Sequence, residues 1–144
     1  HCNLELVPFG KSWSTESGFT CQHGAKECRG NMVMSCALSK LPAGRKQLDF
    51  TSCFMGDPDY GGPQCAEQSG LSWEDIEGCM QSGVGTQLQK EAEQKSYSIR
   101  MSRFVPTIII NKVYNPTDQD EAVRGSFNKL MCRYTGSSDI CSLV

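Results

Sequence analysis

Nine cysteines in a chain of 144 residues constrain this protein more than any other feature of its sequence. Nine of 144, about 6%, is well above ordinary cytosolic usage and is typical of chains that fold in an oxidising or endolysosomal compartment, where disulfides persist. Because nine is odd, at least one thiol is expected to be free or bonded outside this chain. No two cysteines are separated by only two residues, so the Cys-x-x-Cys pair that is typical of fast thiol exchange does not occur here. Most of the sulfurs are therefore predicted to be structural.

The charge and hydropathy of the chain limit the kinds of partner that it is expected to bind. Charged residues make up 21% and the formal net charge is −2, so there is no basic field to attract nucleic acid or anionic lipid. The longest apolar run, 104–110, is far shorter than the roughly 20 residues that cross a bilayer. His1-Cys2-Asn3 has neither the charged region nor the apolar region of a signal peptide, which predicts a mature or trimmed N-terminus. A soluble single domain of residues 1–144 is expected, with no nucleic acid and no membrane among its partners.

Periodicity and turn residues predict a helical block between two short β segments. The polar and apolar alternation of residues 3–8 predicts a strand, followed by a loop to about Thr20. Helical spacing and capping residues predict helices over 24–41, 48–55, 72–83, 86–96 and 127–136, with a loop at 56–63. The β-branched run 107–110 and Val113-Tyr114 flank Asn111-Lys112, which predicts a hairpin with a two-residue turn.

The stretch CQHGAKECRGNMVMSC, residues 21–36, is the richest in reactive side chains. Zinc held by Cys21, His23, Cys28 and Cys36 is one interpretation, but the short Cys-x2–4-Cys spacing of structural zinc sites is missing, so no metal is expected. If 24–41 is one helix, Cys28 and Cys36 lie about 12 Å apart along its axis. That exceeds the roughly 7 Å limit for a disulfide between Cα atoms, so the two are predicted to have different partners.

Several roles remain open at this point. Cys21 can pair with Cys28 or with a more distant sulfur. Gln22, His23 and Glu27 are predicted to satisfy backbone groups of the loop and of the helix start, the alternative for His23 being direct acid–base catalysis. Cys132 and Cys141 flank a Gly-Ser turn and are candidates for a local disulfide.

The same stretch resembles the signature of the gamma-interferon-inducible lysosomal thiol reductase family. The matching positions are Cys21, Gln22, His23, Gly24, Glu27, Cys28, Asn31 and Cys36. Other segments resemble the family as well: Leu6-Val7-Pro8-Phe9-Gly10 is similar to its strand and Val-Pro-Tyr-Gly loop, Cys53, Cys65 and Cys79 to its helical insertion, Phe104 to Asn111 to its cis-proline hairpin, and Leu130-Met131-Cys132 with Cys141 to its C-terminal helix and tail.

This resemblance implies an α/β, disulfide-rich, thioredoxin-like fold with a helical insertion. It divides the chain into a strand and loop over 1–20, the insertion over 21–100, and the cis-proline hairpin with the C-terminal helix over 101–144. In such a fold Val105 and Pro106 form the loop that binds an extended substrate. Eight cysteines match family positions and are expected in structural disulfides, which leaves Cys2 as the odd one, free or bonded to another peptide. No cofactor is implied.

The departures from the family pattern matter equally. The family's catalytic Cys-x-x-Cys or Cys-x-x-Ser lies upstream of the Val-Pro-Tyr-Gly loop, so the first strand and the active-site helix are absent from this chain and it is expected to hold no catalytic residue. Lys112 replaces the glycine that is usual in the hairpin. Asn115-Pro116-Thr117 is excluded as a glycosylation sequon by its proline, which argues against delivery to the lysosome through an N-linked sugar.

Two functions are compatible with these observations. In the first, the chain is the larger part of a thiol reductase that acts on a disulfide-containing protein substrate in a lysosomal, endosomal or secreted setting. A separate N-terminal peptide then supplies the reactive thiols. In the second, the same scaffold is a non-catalytic, disulfide-stapled binding or structural module whose open strand position receives a partner strand. An unrelated secreted cysteine-rich domain requires the signature to be a coincidence.

Overall fold

The computed structural model describes residues 2–99 and 104–144, which divide into two compact units. We call residues Cys2–Ser98 the helical unit and the described residues from Ile99 to Val144 the C-terminal unit. The helical unit contains β1 (Ser12–Thr15), β2 (Gly18–Cys21), α1 (Ala25–Lys40), α2 (Arg45–Gly56), α3 (Gly62–Gln68), α4 (Trp73–Gln81) and α5 (Gly83–Ser98). The C-terminal unit contains α6 (Pro116–Arg124), α7 (Phe127–Thr135) and α8 (Ser138–Cys141).

Three helices begin or end at the residues that the sequence predicts for them, because their ends are set by local signals. The helix predicted over 24–41 is α1, and its last turn carries Lys40. The Oγ of Ser72 accepts a hydrogen bond from the Asp75 backbone N–H at the start of α4, as a capping residue does. Gly136, in the left-handed conformation, ends α7. These three predictions are confirmed.

The strand predicted over 3–8 is wrong. Residues 3–7 have no regular secondary structure, because no strand among the described residues pairs with them and an extended segment becomes a strand only through pairing. The predicted loop contains an antiparallel hairpin instead, in which β1 pairs with β2 from Ser12 with Cys21 to Thr15 with Gly18. Gly18, with φ 133°, permits the reversal.

Other boundaries also differ. Helix α2 begins at Arg45 rather than at 48, after Gly44, and α5 begins at Gly83 rather than at 86. The predicted loop 56–63 runs into α3, whose first turn carries Pro63, a favoured residue there. The predicted hairpin is reduced to one bridge, between Ile110 and Val113.

Helix α6 was not predicted. The side chain of Asn115 caps it by accepting hydrogen bonds from the backbone N–H groups of Thr117 and Asp118. Pro116 follows in the first turn, where its missing N–H costs nothing.

A single apolar core fills the helical unit. Its buried members come from α1, α2, α3, α4 and the residue that follows α1: Val33, Cys36, Ala37, Leu41, Phe50, Phe54, Cys65, Ala66, Ile76 and Cys79. The rings of Phe50 and Phe54 stack with centroids 5.9 Å apart and are fully buried, each contributing about 1.5–3 kcal/mol through burial. The core thus joins four helices around two aromatic side chains.

Four disulfides connect neighbouring elements. They are Cys21–Cys28, Cys36–Cys79, Cys53–Cys65 and Cys132–Cys141. The first three lie in the helical unit and the last joins α7 to α8. Cys2 is exposed and its thiol is free. Within residues 2–99 and 104–144, no helix combines the length and the hydropathy that spanning a membrane requires.

Candidate functional site

The signature residues 21–36 connect the hairpin to the first helix. Cys21 ends β2, Cys28 lies in the first turns of α1, and the disulfide between them spans 5.6 Å from Cα to Cα. Gly24, with φ 86°, precedes α1 and allows the chain to reverse between the two cysteines. As the helical geometry predicts, Cys28 and Cys36 have different partners, since Cys36 is bonded to Cys79.

Asn31 attaches this helix to the loop at Pro8 and Phe9. Its side-chain amide is buried and donates hydrogen bonds to the Phe9 carbonyl at 3.0 Å and to the Ser12 Oγ at 3.5 Å. Ser12 in turn donates to the same Phe9 carbonyl at 2.7 Å. Both lone pairs of the Phe9 oxygen are therefore engaged, which fixes the direction of the loop.

Gln89 from α5 reaches the same loop from the other side. Its side-chain amide lies 2.6 Å from the Ser35 Oγ, 3.1 Å from the Pro8 carbonyl and 3.2 Å from the Asn31 carbonyl. We call Ser12, Asn31, Ser35 and Gln89 the buried polar cluster; all four side chains are buried. Buried amides without partners cost about 1–3 kcal/mol, so this degree of pairing is what allows them in the interior.

Sequence reasoning missed Gln89, although a signal for it exists. The buried residues of α5 are Gly85, Gln89, Ala92 and Ser96, which recur every three or four positions. A glutamine on such a stripe of small residues faces the interior. It therefore needs hydrogen-bond partners from another element.

His23 and Glu27 lie at the surface end of the signature. The Glu27 carboxylate accepts a hydrogen bond from the His23 backbone N–H at 2.6 Å and lies 3.2 Å from the His23 Nδ1. Glu27 therefore satisfies a backbone donor just before α1, in the role predicted for it. The His23 side chain is 72% exposed, and Gln22 is exposed as well.

The zinc interpretation does not match this geometry. Three of its four ligands, Cys21, Cys28 and Cys36, are in disulfides and are not available as thiolates. In the described parts of the chain, no group of three or more histidine, cysteine, aspartate or glutamate side chains is arranged to hold a metal ion.

A second polar contact ties the hairpin to α5. The Glu93 carboxylate accepts a hydrogen bond from the Ser14 backbone N–H at 2.7 Å, and the Tyr97 hydroxyl donates to the Ser12 carbonyl at 3.3 Å. Burial raises the pKa of Glu93, but the hydrogen bonds with Ser14 and Tyr97 and the charge of Lys90 together outweigh it, so the pKa of this carboxyl is lowered. Burial and the nearby Glu93 charge raise the pKa of Tyr97.

In the C-terminal unit, the segment predicted to bind substrate is exposed. The Val105–Pro106 peptide bond is cis, and the Phe104 and Val105 side chains are 62% and 52% exposed. The Asn111-Lys112 turn that follows has φ angles of 52° and 65°. Positive φ at both residues is typical of a two-residue type I′ hairpin turn, so Lys112 occupies a conformation that glycine adopts more readily.

Helices α6 and α7 are joined by a cluster of charged groups. The Arg133 guanidinium donates to Asp118 at 2.6 Å and to Glu121 at 2.7 Å, and the Tyr134 hydroxyl donates to Asp118. Hydrogen bonding to Glu121, with a further contribution from Asp118, raises the pKa of Arg133. Hydrogen bonding to Asp118 raises the pKa of Tyr134. These contacts hold α6 in place behind the exposed segment.

Comparison with known proteins shows which proteins this chain is similar to. Residues 1–69 match the family model described as gamma interferon inducible lysosomal thiol reductase (GILT). GILT-like protein 1 of Drosophila melanogaster is 34% identical over 140 residues, which cover 83% of this chain and 56% of the relative. The gamma-interferon-inducible lysosomal thiol reductase of Mus musculus is 35% identical over 157 residues, covering 99% of this chain and 59% of the relative. The chain belongs to the GILT family.

The GILT family match covers less of the chain than the pairwise similarity to the mouse relative does. The family match contains all eight signature residues and ends in the helical unit. The mouse relative covers nearly the whole chain, so similarity to a GILT extends into the C-terminal unit. The chain spans about 56–62% of the length of the first three curated relatives, including a gamma-interferon-inducible lysosomal thiol reductase-like protein of Anopheles gambiae at 31% identity.

Proposed function

We propose that this chain is the larger part of a thioredoxin-like thiol reductase that reduces disulfides in protein substrates. The observation that carries the proposal is the similarity of the chain to the GILT family, and the Cys21–Cys28 disulfide with the Asn31 hydrogen bond describes the scaffold on which it rests. Relatives in mouse and in Carassius auratus are named as lysosomal thiol reductases. We propose a lysosomal or secreted location as well, which the names of these relatives and the four disulfides support.

Cys2 is the one cysteine of this chain that is not in a disulfide, and we propose that the attacking thiol comes from a segment outside these 144 residues. In thiol–disulfide exchange, one thiolate attacks a sulfur of the substrate disulfide and forms a mixed disulfide, while the other substrate sulfur leaves as a thiol. A second thiol then attacks the enzyme sulfur of the mixed disulfide, releasing the second substrate thiol and forming a new disulfide with that sulfur; it comes from the enzyme where the segment is Cys-x-x-Cys and from a small-molecule thiol where it is Cys-x-x-Ser. The net reaction transfers two electrons and two protons from these two thiols to the substrate disulfide. Eight cysteines here are already oxidised, so none of them is the attacking group.

In this proposal, Val105 and Pro106 hold the substrate as an extended strand. The exposed side chain of Val105 offers an apolar contact, and its backbone offers hydrogen bonds of the kind that join an added strand to a sheet edge. The substrate class is thus an extended peptide on either side of a disulfide.

A second candidate is a non-catalytic binding module on the same scaffold. An open groove of about 340 Å³ in the helical unit favours it, since the groove lies between residues 4–8 and helices α1 and α5. Its walls include the apolar side chains of Leu4, Val7, Leu38 and Leu88. In this case the groove, rather than a thiol pair, is the functional surface.

One experiment separates the two. The protein is isolated from its natural source, and its intact mass is measured before and after reduction, with sequencing of any peptide released and an insulin-reduction assay at pH 4.5. The reductase proposal expects a Cys-x-x-Cys or Cys-x-x-Ser segment in the native material and insulin reduction that alkylation abolishes. A native mass equal to these 144 residues with four disulfides and one thiol, without insulin reduction, contradicts the reductase proposal and favours the binding module.

A further inference from the structure

Gln119 holds the exposed segment of the C-terminal unit with both ends of its side-chain amide. It lies in α6, is 8% exposed, and its Nε2 donates to the Pro106 carbonyl at 2.8 Å. Its Oε1 accepts a hydrogen bond from the Ile108 backbone N–H at 2.7 Å. One side chain therefore pairs with the carbonyl of residue 106 and with the N–H of residue 108, two positions later.

That pair of groups is what a neighbouring strand uses in a β-sheet. Backbone groups of residues i and i+2 point to the same edge of an extended segment, while those of residue i+1 point to the opposite edge. A primary amide presents a donor and an acceptor side by side, as a peptide group does. Gln119 thus acts in place of a paired strand on the edge that carries Pro106 and Ile108. These two hydrogen bonds fix the backbone groups of this edge and thereby the direction of the groups on the opposite edge.

We propose that Gln119 is a positioning residue for substrate binding, which keeps the Pro106–Ile108 backbone extended so that the Val105 segment pairs with an extended peptide. The inference deepens the proposed function and rests on it. Gln119 does not touch the reacting sulfurs in this proposal; it acts through the backbone that receives the substrate. Its effect is therefore expected in KM rather than in kcat.

The test uses the whole natural protein and three variants. Gln119→Met removes both hydrogen bonds at similar volume, Gln119→Glu makes them depend on pH, and Asp120→Asn changes the next, exposed residue of α6 as a matched control. We measure kcat and KM for insulin reduction at pH 4.5 and pH 7, with thermal unfolding followed by circular dichroism. Gln119→Met is expected to raise KM about tenfold, because two buried hydrogen bonds are lost, with kcat changed less than about twofold.

Gln119→Glu gives a signature that a general loss of stability does not. A protonated carboxyl still has one donor and one acceptor, whereas a carboxylate has no donor and faces the Pro106 carbonyl oxygen. Since burial favours the neutral acid, the variant is expected to have a KM within about twofold of wild type at pH 4.5 and about tenfold higher at pH 7. The other titratable groups near this position are Asp118, Asp120, Glu121, Arg133 and Tyr134. Both Gln119 variants keep them, so the wild-type pH profile is their reference, and Asp120→Asn measures the effect of removing one carboxylate of α6 and its ion pair with Arg124.

Three outcomes oppose the proposal. An unchanged KM in Gln119→Met overturns the role of Gln119. So does a ratio of the Gln119→Glu KM to the wild-type KM that is the same at both pH values. In both cases an active wild-type protein leaves the proposed function intact. If Gln119→Met does not fold, Gln119→Glu at pH 4.5 and pH 7 decides alone. A wild-type protein without reductase activity contradicts the proposed function instead. Binding of fluorescein-labelled, reduced and carboxymethylated insulin B chain, measured by anisotropy, then tests Gln119 separately, and equal affinity of wild type and Gln119→Met overturns its role.

Discussion

The helical unit and the C-terminal unit use different interactions to stay folded. Of the fifteen buried apolar residues in the described parts of the chain, fourteen lie in the helical unit, and Leu130 lies in the C-terminal unit. The helical unit also has three of the four disulfides. The C-terminal unit relies on one disulfide, on the ion pairs of Arg133 and on the Gln119 amide.

The difference between the units suits two different tasks, mechanical support of the fold and exposure of a short backbone segment. A packed apolar core and disulfides resist deformation at every pH, whereas polar contacts can hold a short exposed backbone without covering it. The exposed segment with Val105 is in the unit that has few apolar contacts. The family signature is in the unit that has many. In the proposed function, rigidity and access to substrate therefore depend on different residues of the chain.

The largest effect is expected from removing a disulfide, in one variant from the helical unit and in another from the C-terminal unit. The double substitution of Cys36 and Cys79 by Ala opens a link of 43 residues and is expected to lower the free energy of unfolding by about 4 kcal/mol. Loss of Cys132–Cys141, which closes only 9 residues, is expected to cost about 2.6 kcal/mol. Both tryptophans, Trp13 and Trp73, lie in the helical unit, so urea unfolding followed by their fluorescence reports that unit. An equal shift of the fluorescence midpoint by both pairs would break the comparison.

The next test concerns close packing between helices. A Cβ at Gly85 comes within 2.7 Å of the Cys79 carbonyl oxygen and 2.8 Å of the Met32 sulfur, so Gly85→Ala is expected to destabilise the helical unit by about 2–3 kcal/mol. Gly78 of α4 has open space at the same position and serves as the matched control. Gly78→Ala is expected to stabilise by up to about 1 kcal/mol through helix propensity. The same urea titration measures both, and destabilisation of similar size in the two variants would show that packing is not the cause.

A smaller effect is expected from the buried polar cluster. Gln89→Leu leaves the Pro8 carbonyl without the Gln89 donor and is expected to cost about 1–2 kcal/mol. Gln87→Leu, on the exposed side of the same helix, controls for the change in helix surface. Amide hydrogen exchange of residues 9–14 should increase in Gln89→Leu and not in Gln87→Leu. If both variants exchange alike, Gln89 does not hold the loop.

The smallest expected effect is a pH dependence in the helical unit. Because the pKa of Glu93 is lowered in the folded state, its ionised form stabilises the fold at pH values above the ordinary value of 4.5. This contribution is lost as the pH falls below 4.5 and through the folded-state pKa. Glu93→Gln should therefore show less loss of thermal stability than wild type between pH 5 and pH 3. Glu91→Gln is the exposed control on the same helix, and an acid response in Glu93→Gln that is as steep as in wild type would exclude this role.

Local signals in the sequence predict part of this fold. Ser72, Gly136 and the spacing of Cys28, Met32 and Cys36 each act within one or two helical turns, so the helices they define are predicted. The hairpin at 12–21 was missed because each strand has only four residues, and residues 3–8 were assigned a strand that needs a partner. Pattern alone gives no such partner.

The polar contacts of the candidate site are harder to predict. Gln89 and Gln119 form hydrogen bonds with backbone groups that lie 81 and 13 residues away in the sequence. Contacts across such separations are set by tertiary structure. A sequence shows a glutamine on a helix but not the carbonyl it faces. The eight signature residues were found because a family resemblance reports tertiary relations that spacing does not contain.

The disulfide between Cys21 and Cys28 has a consequence for the interpretation of related sequences. The three cysteines of the stretch that resembles the family signature, Cys21, Cys28 and Cys36, are in disulfides, so none of them can attack a substrate disulfide while these bonds last. Selection for the shape of the Pro8–Phe9 loop alone would preserve such a motif. A survey of genomes with this motif therefore counts scaffolds, and the reactive thiol pair needs a separate count.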